Sequence, residues 1–546
     1  MNSSAKTGWL SVKWLVVQAR IKRLQRRIFK ASSKGDRFCV VFLQRKLINS
    51  LDAKLLAVRY VTSDKKGRST PSLEGKVYET PFEKWNLVCR LKINGKASPI
   101  QRVFMPKLGK PNKKPFKQSL TILDRAKQKL LLMALEPEWE AKFEPNSYGF
   151  RPGRSCHDAV EAIFINLLAN ETEQLQTVGN QGVSKYILNT DLKGCFDNID
   201  HDYLVNKVTG VPLYQLQIKA WLKAGIFEGL SLSSDLYGSI PENPLGTPLA
   251  VGGIISPFLA NVALHGLENH LKQWILSQTW LAKGCQVLSS ESKRKSISLI
   301  RYADDFVVMH KDKHVIIAAE QEITSWLAST SKLVFNITKT SVKSSFEGFN
   351  FLGFTFITIG RRGIDRFKCY PSRKSQARLC NNVSDFCKKL RSASAYTLIK
   401  ALRPRILGWA NYFSVSECSD VFKKLTHRIF QVLRAWVFRR DKRHSKKKVK
   451  EAYFPTGKSY TFGGKVHKDN WILVGKKKLK SGVIATIFLP HISWVTSTKH
   501  VKVQGTASKI HKVNFKVQST LEAEVYDGYA LHNTGLLGQV QSTRYF

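Results

Sequence analysis

Residues 296–310 read SISLIRYADDFVVMH. Two apolar runs rich in Ile and Val flank Ala303-Asp304-Asp305, the pattern of two strands joined by a tight turn, so the spacing predicts a β-hairpin with two carboxylates at its tip. Residues 185–201, KYILNTDLKGCFDNIDH, supply a third carboxylate: Asp191 ends another β-like run, where the pattern passes into a turn containing Gly194. Three carboxylates from two strand ends can converge on a pair of Mg²⁺ ions, one activating an attacking hydroxyl and the other stabilising a departing pyrophosphate. Hard cations acting on phosphates require such oxygen ligands. An Asp pair in a turn is common in itself, because Asp accepts backbone hydrogen bonds there, so its meaning depends on the rest of the chain.

The 546 residues carry 88 Lys and Arg against 40 Asp and Glu, a formal net charge of +48. That much like charge repels itself in a compact state unless a polyanion neutralises it, which makes nucleic acid the leading partner and an anionic membrane the second. With 43% hydrophobic residues the chain has enough apolar side chains for several cores, which excludes wholesale disorder. Its nine cysteines never form a CxxC and are odd in number, so no zinc site and no disulfide framework is expected. No signal peptide is evident. The uncharged stretch Leu245–Leu264 has the length of a membrane span but contains Pro248 and Pro257, and reads as a loop followed by a helix capped by Ser256 with Pro257 at its first position.

Charge and periodicity divide the chain. The N-terminal stretch has six Lys or Arg between Arg20 and Lys30 and reads as an amphipathic basic helix. Residues 371–450 hold 21 Lys and Arg against 4 Asp and Glu, with Leu398, Leu402, Ile406, Trp409 and Val421, Leu425, Ile429, Val432 at helical spacing, which predicts a basic helical bundle. From about residue 451 the pattern changes to short Gly-, Thr- and Val-containing runs such as SGVIATIFLPHISWV, which predicts a small, partly β module.

Taken in order, the blocks KLGKPNKKPFKQSLTILDRAKQKLL, EPNSYGFRPGRSCHDAV, NTDLKGCFDNIDHDYL, GTPLAVGGIISPFLANVALHGLE, IRYADDFVVM, FNITKTSV and FNFLGF resemble those of group II intron-encoded reverse transcriptases, also called maturases. LRPRILGWANYF at 402–413 resembles that family's thumb, or X domain, and KHVKVQGTAS at 499–508 its DNA-binding region. The resemblance implies an α+β right-hand polymerase with fingers, a palm bearing the carboxylate hairpin, an α-helical thumb and a small C-terminal DNA-binding module. The corresponding divisions are 1–100 for the basic extension and start of the fingers, 101–370 for fingers and palm, 371–455 for thumb and 456–546 for the DNA-binding domain.

By the same resemblance Asp191, Asp304 and Asp305 are the metal-binding catalytic residues, for two Mg²⁺ ions and no zinc. Phe196 matches the aromatic gate that would collide with a ribose 2′-OH, and Lys114 and Arg125 the cations that hold an incoming triphosphate. Tyr148, Arg151 and Arg154 look like a template-side element mixing stacking and phosphate contact. Gly353 resembles the primer grip, with a β-bulge as the plain alternative. In the thumb, Arg439, Arg440, Lys442, Arg443 and Lys446 are assigned to RNA phosphates, and Trp409 and Trp436 to packing.

The implied function is to bind precursor and lariat intron RNA, promote splicing and reverse splicing into target DNA, and copy RNA into cDNA from dNTPs. Membranes are not among the implied partners. The implied location is the cytoplasm or nucleoid of a bacterium, or an organelle that encodes the chain. The sequence departs from the family at Leu249-Ala250-Val251, where a Gln is missing and two residues are inserted, and residues 509–546 contain none of the paired cysteines of an HNH endonuclease. A splicing-only RNA-binding maturase with a weak or idle polymerase site is the alternative reading.

Overall fold

The computed structural model describes residues 8–63, 77–104, 116–168, 184–227, 253–278, 289–361, 364–440, 444–479, 482–503, 508 and 510. The chain forms two compact units, one built from 1–159, 187–342 and 503–533, the other from 160–186, 343–502 and 534–546.

In the first unit the expected basic helix is Trp14–Ser33, which buries Val17, Ile21, Ile28 and Phe29 and exposes all six cations from Arg20 to Lys30. It packs, together with helices Arg37–Asn49 and Leu51–Thr62, on the long helix Ile122–Lys142. Wrapped in this way, the long helix buries nearly every residue it has. Pro137 interrupts its hydrogen bonding, because proline has no N–H to offer the carbonyl of Met133. The Gln25 amide donates to that carbonyl instead, at 3.0 Å, so the N-terminal layer repairs the break.

Strands β1 (Ile100–Phe104) and β2 (Phe116–Ser119) pair antiparallel. A second sheet contains β3 (Tyr186–Asp191), β5 (Ser298–Tyr302), β6 (Asp305–His310) and β7 (Ser341–Ser344) in the order β5-β6-β3-β7, while the short β4 (Ile226–Phe227) runs parallel to β1. The β3, β5 and β6 strands are buried along almost their whole length, with helices such as Lys313–Ser329 against β6, which explains why they read as continuous apolar runs. Helix Ser256–Leu264 carries Pro257 in its first turn as expected, but its cap is Ile255. The Ser256 that the sequence suggested as cap is already the first helical residue.

The second unit holds the three-stranded sheet of β8 (Phe349–Phe351), β9 (Phe354–Arg361) and β10 (Ile364–Pro371). Three helices follow, Arg373–Lys389, Ala395–Phe413 and Ser419–Arg440. Leu398, Leu402 and Ile406 are buried as the periodicity required. On the third helix the buried stripe is Phe422, Leu425, Ile429, Leu433 and Trp436, one position along from the expected Val421 and Val432. The partly β module consists of two hairpins, β11 (Ser459–Phe462) with β12 (Lys465–Lys468), and β13 (Val474–Lys478) with β14 (Ile484–Phe488).

The SYGFRPGR segment folds inward. Arg151 meets Glu140 through two parallel hydrogen bonds of 2.9 and 3.0 Å, and both side chains are 1% exposed. Its Nη1 also donates to the carbonyls of Glu144 and Ser147 at 2.6 and 2.7 Å. Removing one member of a buried, hydrogen-bonded ion pair leaves the other charge uncompensated. Arg151→Ala should therefore lower unfolding stability by about 3–5 kcal/mol in urea titration. Lys423→Ala, which removes a solvent-exposed pair at 3.8 Å from Asp420, should leave the midpoint unmoved.

Candidate active site

Tyr302 and Asp305 are the last paired residues of the β5–β6 hairpin, so Ala303 and Asp304 form a two-residue turn. Ala303 takes φ +59°, a left-handed conformation required by such turns and disfavoured for a residue with a Cβ. Because β6 lies between β5 and β3, the start of β6 and the end of β3 bring Asp305 to Asp191. Asp191 is 8% exposed, and its main-chain carbonyl accepts from the amide of Asn336 at 2.8 Å.

The three carboxylates feel one another. Burial, and then the charge of Asp191, push the Asp304 carboxyl above its ordinary range. Burial followed by the charges of Asp304 and Asp191 pushes Asp305 up to about 7. Lys339 forms an ion pair with Asp191 and opposes both shifts. Burial likewise pushes the neighbouring Cys195 thiol up, with the nearby Asp304 charge adding to it, so Cys195 stays a neutral packing group. Among the described residues no three Asp, Glu, His or Cys side chains stand at metal-ligand spacing. The donor set nonetheless suits a hard divalent cation: carboxylate oxygens with excess negative charge, opposed by one ammonium.

Phe196 is buried on the short helix Cys195–Asn198 that follows Asp191. Arg125 stands in the first turn of the long helix, 9% exposed, with its pKa lowered by burial. Lys114, Lys442 and Arg443 lie outside the described residues, as do 246–252, which include the departure from the family pattern.

Three expected RNA contacts have internal roles instead. Tyr148 is 1% exposed, its hydroxyl donating to Asn146 and its pKa pushed up to about 12 by burial. Arg151 is consumed by Glu140 and by two carbonyls, and Arg154 donates to the Pro145 carbonyl at 2.6 Å while lying over the Tyr148 ring. These side chains shape the segment that backs the hairpin, and none presents its charge to solvent.

In the second unit Arg440 closes on the carbonyls of Arg391, Ser392 and Ala393, and Trp436 donates to that of Leu390 at 3.1 Å. Arg440 therefore ties its helix to the connection between the two preceding helices while remaining exposed, as are Arg439 and Lys446. Trp409 packs on Phe413 and Phe422, as expected. Gly353 lies in a two-residue turn with Leu352, between the paired Phe351 and Phe354, at φ +87°. That corrects the bulge alternative: this is a hairpin tip, and its carbonyl accepts from Ser372 and Ser375. Lys339, Asn261 and Arg301 had no role assigned from the sequence. The one signal for Lys339 was its place in the FNITKTSV block.

Residues 106–356 match the reverse transcriptase (RNA-dependent DNA polymerase) family, 9–91 the N-terminal domain of reverse transcriptase, and 377–454 the group II intron maturase-specific domain. Among curated proteins, the chain is 30% identical over 328 residues to Protein YkfC of Escherichia coli K12, covering 54% of this chain and 78% of that protein. It is 26% identical to the group II intron-encoded protein LtrA of Lactococcus lactis subsp. cremoris, over 48% of each. Maturase-like protein 1 of Euglena gracilis is 27% identical over 75% of this chain and 77% of its own length. The chain belongs to the group II intron-encoded reverse transcriptase and maturase family. Among the described residues no helix is long and apolar enough to cross a membrane.

The raised pKa of Asp305 has a consequence for stability. Its folded-state value, about 7, exceeds the ordinary carboxylate value of 3.8, so the folded state holds a proton that the unfolded state releases. The destabilisation is absent below the lower value, grows as pH rises between the two, and is complete above about 7. In metal-free buffer Asp305→Asn should raise the melting temperature at pH 8, and the gain should vanish towards pH 4.

Proposed function

We propose that the chain is a group II intron maturase and RNA-directed DNA polymerase. The observation that carries this reading is the meeting of Asp191, Asp304 and Asp305 at one end of the two central strands, β3 and β6, inside the segment matching the reverse transcriptase family. These residues would hold two Mg²⁺ ions, which supply charge neutralisation for nucleotidyl transfer when bound. Phe196 would exclude a ribose 2′-OH, while Arg125 and Lys114 would steady the triphosphate of an incoming dNTP. In this reading residues 101–370 supply fingers and palm, and the helices from 373 onward form the thumb. The exposed cations of helix Trp14–Ser33, with Arg439 and Lys446, would neutralise intron phosphates, while the hairpins after 456 would meet target DNA.

In splicing the RNA performs the chemistry and the protein supplies counter-charge and shape, so the two activities separate. Asp304→Ala with Asp305→Ala should abolish primer extension on an RNA template and leave intron splicing intact. Equal loss of both activities in a folded variant would overturn the separation. A splicing-only maturase with a weak or idle polymerase site is the second reading, favoured by the missing Gln at 249–251, and it requires that the wild-type protein extend a primer feebly or not at all.

Charge reversal at Arg439 and Lys446 should weaken intron binding and flatten its salt dependence. The slope of log affinity against log salt should fall by roughly 0.7–0.9 for each phosphate that is no longer neutralised. Arg440→Gln should act chiefly on thermal stability, because its guanidinium faces carbonyls.

A further inference from the structure

The turn presenting Asp304 is held in a conformation its residues do not favour. A left-handed residue with a Cβ is sterically disfavoured, and the neighbouring carboxylates repel one another. Such a turn persists only if its surroundings over-determine it.

The surroundings here are a chain of buried hydrogen bonds through Arg301 Nη1, while Arg301 Nη2 makes none. Arg301, 1% exposed, turns its side chain along its own strand, and Nη1 donates to the Ala303 carbonyl at 3.3 Å and to Asn261 Oδ1 at 3.0 Å. Asn261, also 1% exposed and on the helix Ser256–Leu264, donates from Nδ2 to the carbonyl of Gly149 at 2.7 Å. Gly149 lies against the turn itself: a Cβ there would stand 2.4 Å from the Ala303 nitrogen, closer than any side chain permits. The same segment is laced to β5, with the Arg301 amide donating to Asn146 and the Tyr148 amide to Arg301, both at 2.9 Å. Glu144 supplies the counter-charge for the buried Arg301, while its carboxylate accepts from the amides of Gly266, Glu268 and Asn269.

Asn261 is the joint of this chain of hydrogen bonds. Its side-chain oxygen accepts a hydrogen bond from Arg301 and its NH₂ donates one to the Gly149 carbonyl, so one side chain ties the strand before the turn to the backbone packed on it. We propose that Asn261 and Arg301 are positioning residues that clamp the Ala303–Asp304 turn in the geometry needed for nucleotidyl transfer, an inference that rests on Asp304 and Asp305 being catalytic carboxylates. Neither residue need touch substrate. They act through the carbonyl of Ala303 and the backbone of Gly149.

The test uses the full-length protein with Asn261→Leu, which loses both hydrogen bonds, and Asn261→Asp, which keeps the acceptor for Arg301 and loses the donor to Gly149. Single-nucleotide extension and hydrogen exchange of the peptide spanning 299–308 are measured in parallel. For Asn261→Leu, kcat should fall about 10–100-fold with KM for dNTP and primer-template affinity unchanged, since a misplacement near 1 Å has that order of effect. Exchange should quicken in that peptide and not in the helical bundle of the second unit. Asn261→Asp should fall between this variant and wild type, and it carries the test if Asn261→Leu does not fold. Unchanged kcat with unchanged exchange would overturn the clamp, as would a loss confined to KM. If wild type itself extends no primer, the catalytic reading fails while the exchange comparison still decides whether Asn261 holds the turn.

Discussion

Like charges held close together in a partly dry place are the constraint around which the first unit is organised. Two carboxylates adjacent in the chain and a third from the neighbouring strand raise one another's proton affinity, and burial adds to the effect. A hairpin tip that did only this would relax by turning the side chains away. The hairpin does not relax, because its turn is tied from behind by Arg301, Asn261 and Gly149, while Lys339 supplies a positive charge in front. The strain is thus set by one part of the structure and borne by another.

The positive charge of the chain divides by the same logic. Cations such as Arg20, Arg23 and Arg27 stay on the outer face of the N-terminal helix, where a polyanion can reach them. Others are drawn inside and meet internal partners. Arg151 takes Glu140, Arg301 has Glu144 beside it, and Lys207 donates to the carbonyls of Ala263 and His265, its pKa lowered to about 8 by burial. A count of Lys and Arg measures the affinity of a surface for phosphate only after these internal cations are set aside.

Family membership adds a functional frame to this geometry. The matched segments include the reverse transcriptase region at 106–356 and the maturase-specific region at 377–454. The carboxylate cluster lies in the first and exposed Arg439 in the second, which is the physical basis for expecting polymerisation and RNA binding to respond to different substitutions.

The sequence by itself determined what depends on local pattern. Paired apolar runs around Ala303-Asp304-Asp305 required a hairpin, the run before Asp191 required a strand end, and 3.6-residue periodicity required the helices around Leu402 and Ile429. Tertiary structure decided which way a polar side chain faces. Arg151 in a loop rich in Gly and Pro reads alike whether it meets a phosphate or a carboxylate, and the answer came from Glu140, eleven residues earlier on a buried helix. Arg440 reads as one of several cations at a helix end, yet its partners are carbonyls 47–49 residues away. Asn261 sits in an apolar helix with no local sign of a task, and its role follows from two partners brought together only by folding, one on β5 and one in the segment before helix Cys156–Leu167. Periodicity is a property of neighbours in sequence, whereas the satisfaction of a buried charge is a property of neighbours in space, and only the folded chain supplies those.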